Sequence, residues 1–265
     1  MNELSSVFTA LAWSERLTAL ALLLQTVELL ALRRAWSDTG IWRWALLAPE
    51  QRQLLAPLRW VLSQLLPARP FGVLLALRLL ASVALAVGAG HGVALFLLFT
   101  QVAVCVRFRG TFNGGSDTFS VVLLSALSLA QLFPGSLAAQ KAALLYIAVQ
   151  LTLTYFIAGV AKLRHAEWRS GRALQSFVES GRYGAPRWLV HVLGGRTRHG
   201  VLSFSVLAFE CSFPLAWSGP SVCAAYVAVG LCFHLGTWLL FGLNRFVFAW
   251  GAAYPALWWC SQWMG

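Results

Sequence analysis

Apolar runs of about 20 residues recur along this chain, separated by stretches that hold most of its arginines. In a hydrocarbon layer roughly 30 Å thick every backbone N–H and C=O must be satisfied internally, so such runs cross it only as helices or as strands of a closed barrel. These runs are rich in Leu and Ala and do not alternate apolar with polar residues, which argues against barrel strands. Eight can be drawn, at residues 17–32, 71–88, 91–106, 118–133, 140–161, 200–217, 221–242 and 245–262. Apolar residues make up 59% of the chain, charged residues 11%, and mean hydropathy is +0.70. Soluble domains average about 45–50% and about 25%. The expected fold is therefore an all-α, polytopic transmembrane helix bundle with eight spanning helices.

The basic residues orient it. Arg33, Arg34, Arg43, Arg52, Arg59 and Arg69 fall between the first two runs, Arg107 and Arg109 after the third, and Lys162 through Arg198 between the fifth and sixth. Arg245 follows the seventh, whereas the alternate connections hold only Lys141. The positive-inside rule makes the basic connections cytoplasmic and puts both termini on the other side. A net charge of +11 distributed in this way suits anionic lipid headgroups, and the absence of a soluble basic domain argues against nucleic acid as a partner. Met1 to Thr9 carries no basic residue and no small-residue cleavage site follows Leu32, so the first helix is expected to be retained.

Two connections are too long to be turns. Residues 36–70 interleave Trp42, Trp44, Leu54, Leu55, Leu58, Trp60 and Leu65 with arginines and break at Pro57, the pattern of amphipathic interfacial helices. Residues 164–195 place Trp168, Leu174, Phe177 and Val178 on one helical side, to lie flat or to dip inward over a cavity. Gly88-Ala89-Gly90-His91 reads as a tight helical hairpin. No repeat, low-complexity tract or linker interrupts the rest, so residues 1–265 read as a single domain with no soluble one. Cys105, Cys211, Cys223, Cys232 and Cys260 lie in or near apolar runs without C-x-x-C spacing, and read as buried small hydrophobes rather than metal ligands or disulfides.

Ionisable groups inside apolar helices are costly, which makes them the functional candidates. They are Glu28, Arg78, Lys162, Glu210 and His234. Glu28 and Arg78 sit on successive helices and read as a structural ion pair. Lys162 is either a snorkelling cation or a functional amine, and His234 either a core histidine or a site residue. Glu210, in mid-helix, must be paired or protonated.

Tyr155-Phe156-Ile157-Ala158-Gly159-Val160-Ala161-Lys162-Leu163, with Trp168 and Gly171 after it, resembles the corresponding segment of the vitamin K-dependent gamma-glutamyl carboxylase. The resemblance continues through Glu210, Phe233-His234, Leu240-Phe241, Phe246, Ala252 and Pro255, and covers roughly residues 100–260. This is the pattern of the bacterial HTTM-domain membrane proteins related to that carboxylase's membrane domain. It implies an integral protein of the bacterial inner (plasma) membrane. Of the carboxylase's paired lysines the second, credited as catalytic base, falls on Lys162, and the first is replaced by Ala161. The turn Asn113-Gly114-Gly115-Ser116-Asp117 falls where relatives have a polar turn, although the animal enzyme's histidine there has no clear counterpart.

The chemistry implied is quinol-dependent carboxylation. A reduced quinone of the vitamin K or menaquinol type gives a proton to a neutral amine and reacts with oxygen. It becomes an epoxide and releases a strong base that strips a carbon-bound proton, and the carbanion adds carbon dioxide. Lys162, His234 and Glu210 would be the catalytic set, with burial favouring the neutral lysine. Asn113, Asp117, Tyr155, Trp168 and Phe241 would hold the quinone. The substrate would be a peptide or small acid, and a soluble partner would supply the recognition that the animal enzyme's lumenal portion provides. The other reading is a non-catalytic accessory membrane protein that binds lipid, quinone or peptide for maturation or export of a partner.

Overall fold

A computed structural model describes residues 3–108, 114–181 and 184–264, which are helical throughout and contain no strand. The principal helices are α1 (Glu3–Ala31), α2 (Ala56–Leu65), α3 (Ala68–Ala86), α4 (Val93–Phe108), α5 (Gly114–Leu132) and α6 (Leu137–Leu163). After them come α7 (Arg172–Glu179), α8 (Arg196–Ser212), α9 (Pro220–Phe241), α10 (Asn244–Gly251) and α11 (Tyr254–Met264). Six stretches are long and apolar enough to cross a membrane, namely α1, α3, α5, α6, α9 and α8 with its extension to Trp217, the mark of an integral membrane protein.

The differences from the hydropathy reading have physical causes. The first helix begins at Glu3 rather than residue 17, because polar residues lower a hydropathy average without breaking a helix if the bundle satisfies them. Glu15, for example, accepts a hydrogen bond from Gln131 Nε2 at 2.8 Å. The run at 245–262 is two helices, α10 and α11, divided at Ala252-Ala253 just before Pro255. Proline lacks an N–H and is accommodated in a first helical turn but not in mid-helix. The α4 helix has only 16 residues. Before it, Gly88, Gly90 and Gly92 all have positive φ (72°, 90° and 84°), a backbone that glycine adopts without strain. Pro57 opens α2 rather than breaking it. Of the cysteines, Cys223 and Cys260 are buried as expected, but Cys232 is exposed on the apolar outer face of α9.

The chain divides into two compact units, Leu11–Ala143 and Met1–Ala10 with Leu144–Gly265. In the first, the organising group is Arg78 of α3, which is fully buried. Its Nε donates to Thr26 Oγ1 (3.0 Å), Nη1 to Thr100 Oγ1 (2.9 Å), and Nη2 to Gln25 Oε1 and Gln101 Oε1 (both 2.5 Å). The two glutamines pass the contact on: Gln25 Nε2 donates to Asp117 Oδ1 at 2.6 Å and Gln101 Nε2 to the Asp117 carbonyl at 2.9 Å. The guanidinium is thereby joined to the Asp117 carboxylate through Gln25 and to the Asp117 backbone carbonyl through Gln101, tying α1, α3, α4 and α5 together. Glu28, the expected partner of Arg78, is half-buried one turn beyond Gln25, and the hydrogen bonds described for Arg78 run to neutral side chains.

Arg107, expected in a cytoplasmic connection, is fully buried at the end of α4. It donates to the carbonyls of Leu66 (2.6 Å), Trp36 (2.9 Å) and Trp42 (3.4 Å), and its guanidinium lies 4.7 Å from the centre of the Phe71 ring. Carbonyls left without partners where helical turns end are satisfied in this way.

In the second unit, Trp259 Nε1 of α11 donates to Ser6 Oγ at 3.2 Å, fixing the start of α1 to the last helix. Trp217 Nε1 donates to Thr152 Oγ1 at 2.9 Å and Tyr226 donates to Ser212 Oγ at 2.8 Å, joining α6, α8 and α9.

Arg78→Leu roughly keeps the volume but takes the donor from two buried amide oxygens, those of Gln25 and Gln101. Removing one partner of a buried charged network costs about 3–5 kcal/mol. Denaturant unfolding in detergent should show a loss of that order; a loss below about 1 kcal/mol would mean that the network does not hold these helices.

Candidate functional site

Helix α6 carries Tyr155, Gly159 and Lys162 at i, i+4 and i+7, which places them on one stripe. Gly159 decides how close the next wall comes. A Cβ at this position would lie 2.8 Å from Cys211 N and 2.8 Å from Glu210 Cβ, so only glycine lets α6 and α8 approach this closely. One turn later the approach delivers Lys162 Nζ to the Glu210 carboxylate, at 2.5 Å from Oε1 and 2.6 Å from Oε2. Glu210 is 3% exposed in its side chain and Lys162 23%, so the pair sits at the edge of the apolar interior with its charges cancelled.

The connection after α6 folds over this pair. Trp168 lies with its ring centre 5.4 Å from Lys162 Nζ, a cation–π contact, and its carbonyl accepts a hydrogen bond from Ser203 Oγ of α8. Gly171 has φ of 77°, and a Cβ there would meet the Gly200 backbone at 2.7 Å, which accounts for glycine three residues after the tryptophan. Leu174 and Phe177 of α7 follow onto the cavity wall, so the segment dips inward rather than lying flat. The Phe177 ring packs edge-on to Phe241 with centres 6.1 Å apart.

Helix α9 supplies the opposite wall through His234, Thr237 and Phe241, again a single helical stripe. His234 is 3% exposed, and its Nε2 lies 2.7 Å from Tyr155 Oη. Tyr155 Oη is also 2.8 Å from Tyr254 Oη of α11. A ring stack of Tyr155 on Phe213, with centres 4.1 Å apart at 24°, holds the phenol in place. The Nδ1 of His234 is buried and has no hydrogen-bond partner among the described residues.

These walls line a half-open cavity of about 390 Å³, apolar but for the Lys162–Glu210 pair, the Tyr155–His234 pair and the Thr154 and Thr237 hydroxyls. The volume falls within the roughly 300–1,000 Å³ of small-molecule sites, which are mostly apolar with a few placed polar groups. Lys162, Glu210, His234, Tyr155, Trp168 and Phe241 therefore line one space, although the sequence scatters them over residues 155–241. Asp117 is not among the residues that line this cavity, and its carboxylate accepts a hydrogen bond from Gln25. Asn113 lies outside the described residues.

Three residues that shape the site were not singled out from the sequence. Tyr254 was missed because a tyrosine beside a proline near the C-terminus has no motif value. Gly230 leaves room for the tyrosine pair: its Cβ would collide with Tyr254 Oη and lie 3.3 Å from Tyr155 Oη. A glycine one turn before a buried histidine was the available signal. Gly159 stood in the quoted motif, and only its reason was invisible.

Fold and site together define a helical membrane protein with an apolar cavity, an amine–carboxylate pair at one side and a tyrosine-bonded histidine at another. Comparisons with models of protein families, with curated proteins and with solved structures give no match.

Gly159→Ala should destabilise the protein by about 1–3 kcal/mol through overpacking, measurable as a fall in unfolding midpoint. In an open helix the same change would stabilise by up to about 1 kcal/mol. A rise in the midpoint would therefore show that α6 and α8 are free to move apart.

Proposed function

We propose that this chain is a quinol-dependent, gamma-carboxylase-like enzyme of the bacterial inner membrane, acting on a peptide or small acid at the cavity between α6, α8 and α9. The observation that carries the reading is the Lys162–Glu210 contact of 2.5 Å beside a half-open apolar cavity. Transfer of one proton along this contact converts ammonium and carboxylate into neutral amine and neutral acid with no change in net charge. It yields the neutral lysine that base catalysis needs, without moving charge into the bundle. The walls of Trp168, Phe177, Phe241 and Phe246 suit a flat aromatic ring.

A reduced quinone of the vitamin K or menaquinol type, with oxygen and carbon dioxide, would supply the oxidative chemistry and the strong base. This chain's own residues bind the ring between aromatic faces and take up its proton at Lys162 Nζ. The apolar walls keep water from that proton transfer. In the membrane, α4 and the α10–α11 pair complete the six long helices to eight passes, and α2 lies in the interface on its apolar side. A soluble partner would present the substrate.

The second reading is an accessory protein that binds lipid, quinone or peptide without turnover. It is favoured by the neutralisation of Lys162 by Glu210, which a purely structural pair would also produce.

Purified protein incubated with reduced menaquinone and oxygen should form quinone epoxide, detected by mass spectrometry. Lys162→Ala and Lys162→Arg should both lose about 10²-fold or more of that rate while staying folded, because arginine does not act as a neutral base. Full activity in the Arg variant would remove lysine base catalysis. Quinone bound by wild type without epoxide, with carbon dioxide and an acidic peptide present, would favour the accessory reading.

A further inference from the structure

We propose that the hollow between α2 and α4 holds one acyl chain of an anionic phospholipid, whose phosphate is bound by Arg52 and Arg59. The site lies wholly within the unit Leu11–Ala143 and is independent of the chemistry proposed for the cavity at Lys162.

The hollow follows from how the chain between α1 and α3 is fastened. Its 3₁₀ turn Ala48–Gln53 is pinned where the buried Gln51 donates from Nε2 to the carbonyl of Val106 at 3.4 Å. That carbonyl lies in the last turn of α4, where helical carbonyls run out of intrahelical donors. The far end of α2 is pinned by Leu62 and Leu66, buried in an apolar cluster with Phe71, Ala103 and Phe108. Between these fastenings the segment stands off α4. Leu58 lines the gap yet is 47% exposed, and Phe99 and Val102 of α4, on the same space, are 47% and 44% exposed. What lies between is a half-open hollow of about 650 Å³ in which only Gln51 and Cys105 contribute polar side chains.

The shape and the lining specify an alkyl chain. Leu58, Val61, Leu62 and Leu65 fall at i, i+3, i+4 and i+7, a single stripe that runs about 10 Å along α2. Water is a poor filler of such a trough, because an ordered water needs several polar partners. Apolar walls with no atoms against them forfeit dispersion contacts, which a flexible hydrocarbon tail restores. The mouth opens where Phe99 and Val102 are exposed, on the outer apolar face of α4, so a tail can enter from the membrane without crossing a polar barrier.

Charge identifies the head. Arg59 leaves α2 about 100° round from Leu58, on the flank of the apolar stripe rather than opposite it. Its Nη1 donates to the carbonyl of Arg52 at 3.4 Å, which holds both exposed arginines at the end of the hollow that Gln51 and Leu54 line. Residues 33–69 carry six arginines against Asp38 and Glu50, so the surroundings of this edge are positive. Guanidinium forks match the free oxygens of a phosphodiester, and an anionic headgroup offers these without a cation of its own. Trp60, next to Arg59 and 66% exposed, is the residue type that seats a helix at headgroup level.

The test measures lipid binding to the delipidated protein in detergent by native mass spectrometry, with phosphatidylglycerol and phosphatidylcholine of identical chains as probes. Wild type is expected to bind phosphatidylglycerol at least about tenfold more tightly, the order that two arginines near an anionic headgroup supply. Arg52→Gln combined with Arg59→Gln is expected to bring that ratio near one without moving the unfolding midpoint, since both side chains are exposed. Val102→Trp, which fills the hollow from α4, is expected to weaken both lipids by about tenfold or more, because several methylenes lose their burial. Phosphatidylglycerol with a photoreactive diazirine on its tail is expected to label residues 54–65 and 99–106. A wild-type ratio near one, or a double variant that keeps the preference, overturns the proposal. So does labelling spread evenly over the outer faces of the helices, which would mean bulk lipid, or undiminished binding in Val102→Trp, which would mean a headgroup contact alone. A dimer that Val102→Trp disperses would make a second copy of the chain the occupant and overturn it equally. If Val102→Trp does not fold, the labelled segments of wild type decide where the tail lies.

Discussion

A charge inside an apolar helix bundle must be cancelled by a partner that the bundle itself provides, and this requirement shapes both units of the protein. The unit Leu11–Ala143 answers it with saturation. Arg78 is wrapped by two threonines and two glutamines, and the glutamines hand on to Asp117. Arg107 takes the carbonyls of Leu66, Trp36 and Trp42. Both arginines are fully enclosed, and their fixed guanidinium forks suit such multidentate holding. The other unit sets a lysine on a carboxylate at the edge of a cavity, and buries Arg245 as well. A lysine lacks the rigid fork and is the cation that readily gives up its proton when burial or a partner favours it.

Close approach is the second requirement, and glycine meets it. Gly159 brings α8 against α6 one turn before the ion pair, Gly230 admits two tyrosine hydroxyls one turn before the histidine, and Gly171 seats the connecting segment on Gly200. Each lies three or four residues from the side chain it serves, so each acts on the same helical face or turn. Groups held by backbone packing in this way have little room to drift, which is what a preorganised site requires.

The segment Ala166–Glu179 gives the cavity its closure. It leaves α6 just past Lys162, stacks Trp168 over the amine and brings Leu174 and Phe177 against the wall from α9. An amine, a carboxylate and a phenol–imidazole pair thus line one half-open, largely apolar space.

The sequence by itself determined the helical class, the membrane setting and the residues whose burial would be costly. Length and apolar composition dictate these locally, since each run satisfies its own backbone wherever it lies. It also placed Lys162, Glu210 and His234 on a short roster, because a polar group in an apolar run is visible in one dimension. Pairing was not visible. The expected partner of Arg78 was Glu28, yet the neighbouring Gln25 and Thr26 make the hydrogen bonds, a choice set by how α1 is rotated against α3. Arg107 read as a loop cation because carbonyl acceptors at helix ends have no sequence signature. Asp117 read as a site residue and belongs to the Arg78 network. Only the tertiary structure could bring Tyr254 to Tyr155 across 99 positions or Glu210 to Lys162 across 48. Such contacts depend on helix rotation and on the close approach that glycines permit, and neither is a property of any one segment.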